Sequence, residues 1–76
     1  MDGSDLKELF GRNLKAQRVE KGYTQAGLAE EIGVSVEYIS KLERGLASPS
    51  FEIISHLCSS LESSPSKFFH STLSES

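Results

Sequence analysis

Between Ser35 and Arg44 the chain gathers two serines, two carboxylates, two cations and a phenol: Ser35-Val36-Glu37-Tyr38-Ile39-Ser40-Lys41-Leu42-Glu43-Arg44. Wound as a helix at about 100° per residue, this stretch sorts into two faces. Ile39, Leu42 and Glu43 fall on one side, and Glu37, Ser40, Lys41 and Arg44 on the other, with Val36 and Tyr38 at the borders. The outer face is short polar groups, two cations, one carboxylate and a phenol, a mixed donor/acceptor surface of the kind that can read base edges in a DNA major groove. Taken alone, the same pattern also describes an ordinary solvated helix face.

Other chemistry finds less support. Serine, histidine and glutamate are all present, yet no nucleophile–base arrangement has a signature, and a 76-residue chain encloses a substrate pocket only with difficulty. An enzyme is not expected. The single cysteine, Cys58, excludes an internal disulfide and a multi-cysteine zinc site, and its place on an apolar stripe reads as a small buried hydrophobe. His56 is expected at the edge of the same stripe and His70 near the polar end, so neither joins a ligand cluster. No metal or cofactor is implied.

Those side chains need a scaffold, and the length allows one small domain. Hydrophobic residues make up 37% and charged residues 25%, too lean to waste core material and too apolar for disorder. Five helical segments are predicted, and no alternating run suggests a strand. The first spans about Ser4–Lys21, with Leu6, Phe10 and Leu14 at four-residue intervals, Leu9 beside them and Gly22 as its stop. Thr24 caps Gln25–Ile32, whose inner face is Leu28, Ala29 and Ile32, and Gly33 turns the chain. Ser35 caps Val36–Arg44, closed by Gly45. Ser50 caps Phe51–Leu61, with Ile53, Ile54, Leu57, Cys58 and Leu61 as its stripe. Ser64-Pro65 opens a last short helix through Phe69. Residues 1–70 then form one domain, and 71–76 a flexible polar tail. The expected fold is a compact all-α domain of five helices.

Net charge is −3 and the pI about 5.3, which alone argues against a nucleic-acid partner. The distribution says more. Residues 12–24 carry Arg12, Lys15, Arg18 and Lys21 against Glu20, a local positive region in an acidic chain. No apolar run is long enough to span a membrane, and the N-terminus lacks the basic-then-apolar character of a secretory signal. A cytoplasmic protein is expected.

Helices two and three are joined by a short turn containing Gly33, a spacing shared by helix-turn-helix units and by αα-hairpins of ordinary bundles, and small Ala29 permits their close approach. Arg18 continues the apolar stripe of helix one, and Glu43 sits on the inner face of helix three. Lone buried charges are costly whereas facing opposite charges can satisfy each other, so an Arg18–Glu43 ion pair is expected to tie the two helices.

The run Gln17-Arg18, Gly22-Tyr23-Thr24-Gln25, Leu28-Ala29 and Gly33-Val34-Ser35 resembles the phage repressor/Cro-type helix-turn-helix family, lambda-repressor-like and of the XRE group. The continuation Tyr38-Ile39-Ser40-Lys41-Leu42-Glu43-Arg44-Gly45, then Pro49-Ser50, matches the same pattern, and the resemblance covers about residues 8–69. It implies a five-helix domain that binds double-stranded operator DNA as a homodimer and regulates transcription. By position, it implies that Gln25 touches the DNA backbone at the start of helix two. Ser35, Val36, Glu37, Ser40 and Lys41 match positions facing bases or adjoining phosphates, with Tyr38 at the border. Arg44 and the loop Leu46–Ser48 match a stretch along the backbone, and Gln17 and Asn13 weaker backbone contacts. Arg18 and Glu43 match the family's structural ion pair. Phe68 and Phe69 are adjacent and point about 100° apart, so one is expected to close the core. The other, with Leu61 or Leu73, would build a dimer patch, in part on the family's precedent.

Two departures stand out. Gly27 falls on the exposed face of helix two, where a charged helix former is usual, and Leu46-Ala47-Ser48 offers no cation. With the acidic pI, that second departure keeps an alternative open: a protein-interaction module, such as an antitoxin or anti-regulator, with another protein as its main partner.

Overall fold

In a computed structural model, residues 3–70 are described, with side chains from Asp5 onward. Four α-helices follow in order: α1 (Gly3–Glu20), α2 (Gln25–Ile32), α3 (Val36–Glu43) and α4 (Phe51–Leu61). A 3-10 turn at Pro65–Phe68 closes the described chain, and no strand occurs among the described residues. The fifth segment is therefore a single 3-10 turn rather than a helix. Its N–H groups reach back only three residues, from Lys67 to the Ser64 carbonyl and from Phe69 to the Ser66 carbonyl, at 3.0 and 3.1 Å. A four-residue α-helix would form too few bonds to offset its nucleation, and the tighter turn suffices to aim Phe68 inward. The expected polar tail, with Leu73, lies outside the described residues.

Three helices start where a hydroxyl takes an otherwise orphaned N–H. Thr24 Oγ1 accepts from Gly27 N–H at 2.9 Å, Ser35 Oγ from Tyr38 at 3.1 Å, and Ser50 Oγ from Ile53 at 3.1 Å. Ser64 makes no such bond; its hydroxyl pairs with that of Ser66 at 3.2 Å. Between α2 and α3 the chain reverses at Gly33, with φ of 78°, a left-handed conformation that a Cβ would strain. The N–H groups of Gly33 and Val34 both close on the Ala29 carbonyl at 2.9 Å. Replacing Ser35 with alanine should remove the cap of α3 alone and cost about 1 kcal/mol in urea denaturation. An unchanged midpoint would show that the hydroxyl contributes nothing to that helix.

The core is Phe10, Leu14, Leu28, Ala29, Ile39, Leu42, Leu57, Leu61 and Phe68, with at most 3% of any of these residues exposed. Leu9 joins from the second turn of α1, whereas Leu6, a turn earlier, is 43% exposed. Ile53, Ile54 and Cys58 on α4 are half-buried against the core, and burial pushes the Cys58 thiol up from its ordinary pKa. His56 is farther out than the stripe suggested, with its side chain 53% exposed and its Nε2 3.8 Å from the Glu52 carboxylate. Gly27 is half-buried, and a Cβ there would lie 3.1 Å from the capping hydroxyl of Thr24. The glycine thus leaves room for the α2 cap.

One glycine without any turn role matters more. Gly11 lies buried inside α1, where a Cβ would sit 2.6 Å from the Glu43 carbonyl oxygen and closer still to that of Leu42. The last turn of α3 rests directly on the α1 backbone at this point.

Candidate nucleic-acid interface

Packing fixes which side of α3 is free. Ile39 and Leu42 are fully buried, so the opposite side faces outward. There Glu37, Lys41 and Arg44 are exposed, Ser40 is half-buried, and Val36 at the helix start is 46% exposed. Arg44 Nε donates to Ser40 Oγ at 3.2 Å, which lays the guanidinium back along the helix. The Ser35 hydroxyl accepts from Tyr38 N–H and keeps its own proton to donate. Tyr38 is half-buried with its ring against the core, so it borders this surface rather than crowning it.

The inner side of α3 meets a buried cation. Arg18 is 8% exposed, and its Nε and Nη2 donate to Glu43 Oε2 and Oε1 at 2.6 and 3.2 Å. Its Nη1 donates to the Tyr23 carbonyl at 2.8 Å, just before α2 begins. Glu43 Oε1 also accepts from Gln25 Nε2 at 2.9 Å. One bidentate ion pair therefore joins α1, α3 and the first residue of α2. Gln25, assigned to the DNA backbone by resemblance, has one amide N–H committed to Glu43 and a second left over. Spacing pointed to the ion pair; nothing in the sequence marked Gln25 as its third member.

Two other residues expected to touch the DNA backbone find different work. Asn13 Nδ2 donates to the carbonyls of Phe68 and His70 at 2.8 Å, and Gln17 Nε2 to that of Lys67 at 3.3 Å. These amides pin the 3-10 turn onto α1; Asn13 spends both amide N–H groups there, whereas Gln17 keeps a second one. Lys21 pairs with Glu62 at 2.9 Å, and that hydrogen bond holds the Glu62 carboxyl below, and the Lys21 ammonium above, its ordinary pKa. Both ends are largely exposed, so the bridge adds little stability, but it occupies one cation of the positive stretch. Of the two candidates for a dimer patch, Phe68 is the one that closes the core: it is fully buried, its ring centroid 5.1 Å from that of Phe10, and is not available to a dimer surface. Leu61 is likewise buried. Of the aromatic pair only Phe69 is accessible, at 37%.

No helix among the described residues is long and apolar enough to cross a membrane, and no group of three or more potential metal ligands occurs among them.

The helix-turn-helix family HTH_3 matches residues 14–68, from the middle of α1 to the 3-10 turn. The chain belongs to this family, of the XRE (Cro/C1) type. This helix-turn-helix chain is 47% identical over 47 residues to YazB of Bacillus subtilis, an uncharacterized HTH-type transcriptional regulator, spanning 62% of this chain and 68% of YazB. Its fold matches the clp gene regulator ClgR of Corynebacterium glutamicum with a TM-score of 0.79 and 38% identity, over 83% of this chain and 67% of that one. The restriction-modification controller protein C.AhdI of Aeromonas hydrophila gives a TM-score of 0.78 and 32% identity, over 83% of this chain and 96% of that one. Other curated relatives are longer: the chain spans 51% and 50% of two of them.

Proposed function

We propose that the chain is a sequence-specific double-stranded DNA-binding regulator of transcription that lays α3 in the major groove and binds an inverted repeat as a homodimer. The observation that carries this reading is the state of α3. Its inner side is locked by Arg18, Glu43 and Gln25, while its outer side presents Val36, Glu37, Lys41 and Arg44 to solvent. A rigid helix with a mixed polar face is what groove readout requires. Relatives that are transcriptional regulators, and C.AhdI as a controller protein, support the same role.

A second copy is supported by an apolar surface outside α3. Phe51 is 92% exposed, and with Leu6 and Phe69 it borders a shallow groove of about 270 Å³ over Phe10, Pro49 and Ile54. A two-fold pairing would cover these side chains, and reading an inverted repeat then requires the two recognition helices about 34 Å apart, one DNA turn.

Selection from a random duplex library at about 0.1 M salt tests the reading, because non-specific phosphate binding is already weakened there. An enriched inverted repeat with half-sites roughly 10 bp apart is the expected outcome. Replacing Lys41 and Arg44 with alanine should then abolish measurable binding to that repeat. Each single variant that removes a phosphate contact should lower the salt slope by about 1. Undiminished DNA binding by the double variant would exclude the α3 face as the interface. Survival of partner binding without any DNA binding would favour the protein-interaction module instead.

A further inference from the structure

The outer face of α3 holds a carboxylate and an ammonium four residues apart, Glu37 and Lys41, in the order that favours an ion pair on a helix. They do not form one: neither side chain has a hydrogen bond or ion pair among the described residues. The other charges of α3 and its C-cap are engaged, Glu43 with Arg18 and Gln25, and Arg44 with Ser40. We infer that Glu37 and Lys41 together read one C·G base pair, the carboxylate accepting from the cytosine amine and the ammonium donating to the guanine. This rests on the DNA-binding reading above and names the bases that it recognises.

The inference follows from what each group can do. A carboxylate only accepts, and in the major groove the donors are the N4 amine of cytosine and the N6 amine of adenine. Adenine carries its N7 acceptor beside that amine, so one carboxylate oxygen would face a lone pair. Cytosine offers a donor with no acceptor of its own on that edge. Guanine and thymine present acceptors and repel the charge. The partner guanine supplies O6 and N7, which lysine reads well. Glu37 is the second residue of α3, in the part of a recognition helix that approaches base edges, and Lys41 stands one turn further on. A carboxylate placed in the field of DNA phosphates without a donor would only weaken binding.

Glu37 also lies in the first turn, where the helix dipole favours an acid. That role is indifferent to base identity, and this separates the two explanations.

The experiment starts from the repeat enriched by the unaltered chain. Each half-site position is changed to all four base pairs, and affinities are measured for the unaltered chain, Glu37→Gln, Glu37→Ala and Lys41→Ala, with thermal unfolding verifying that each is folded. The expected result is one position where C·G is preferred by about five- to 150-fold over the other pairs. Glu37→Gln should move that preference toward adenine, whose N6 and N7 a glutamine reads together. Glu37→Ala should flatten it, and Lys41→Ala should weaken C·G at this same position more than elsewhere. If folded Glu37 variants keep the unaltered preference at every position, the carboxylate serves only its helix and the inference fails while the DNA-binding reading stands. If the unaltered chain enriches no site at all, both fail together.

Discussion

Glu43→Ala is expected to cost about 3–5 kcal/mol of folding stability, the range for removing one partner of a buried ion pair. The Glu43 side chain is 3% exposed and that of Arg18 10%, so neither charge has water to fall back on. Without the carboxylate, Arg18 keeps only its bond to the Tyr23 carbonyl, and the Gln25 amide loses its acceptor. A domain of this length is stable by roughly 4–11 kcal/mol, so the variant should lose a large share of its folding free energy. Urea denaturation followed by circular dichroism reads the effect as a lower midpoint. The double variant Arg18→Met, Glu43→Leu removes both charges and should be considerably more stable than Glu43→Ala. If the single variant is as stable as the unaltered chain, the pair does not hold α3 to α1.

Gly11→Ala is the second large effect, and its sign is the unusual part. Within a helix the exchange normally stabilises by about 1 kcal/mol, since alanine restricts the unfolded chain and favours the helix. Here the new Cβ would lie 2.6 Å from the Glu43 carbonyl oxygen and 2.8 Å from its carbonyl carbon. Backbone atoms cannot rotate away as a side-chain tip can, so α3 must move outward from α1. Overpacking of this kind costs about 1–3 kcal/mol, and the displacement would also stretch the neighbouring Arg18–Glu43 contact. A net loss of about 1–2 kcal/mol in thermal or urea unfolding is expected once the helix-propensity gain is set against that cost. A gain instead would mean that the helices separate without cost.

Much of the architecture was legible because local rules govern it. Thr24, Ser35 and Ser50 are caps by residue type and position, and the structure shows each hydroxyl making its bond. The Arg18–Glu43 pair was legible for another reason: a charge on an apolar stripe demands a partner, and Glu43 faced it from the inner side of the neighbouring helix. What could not be read depends on contacts distant in sequence. Gly11 resembles any helical glycine until α3 is laid across it. Asn13 serves the Phe68 carbonyl 55 positions away, and Gln17 that of Lys67 50 positions away. Leu6 continues a regular helical period, but periodicity does not say where the covering elements stop. Phe68 and Phe69 are chemically identical neighbours, and only the direction of the last turn decides that the first is buried and the second is not. On α3, residue types announced the polar face, whereas the free state of Glu37 and Lys41 needed the structure.

The burial of Phe68 also bears on how the domain comes into being. The ribosome completes α3 well before the last turn, yet the cavity beside Phe10 is filled only by a residue near the end of the described chain. Asn13 and Gln17 likewise wait for carbonyls at Lys67, Phe68 and His70. A nascent chain halted before this turn therefore leaves α1 and α4 without the side chain that closes the core between them, although the Arg18–Glu43 pair that holds α3 is already encoded.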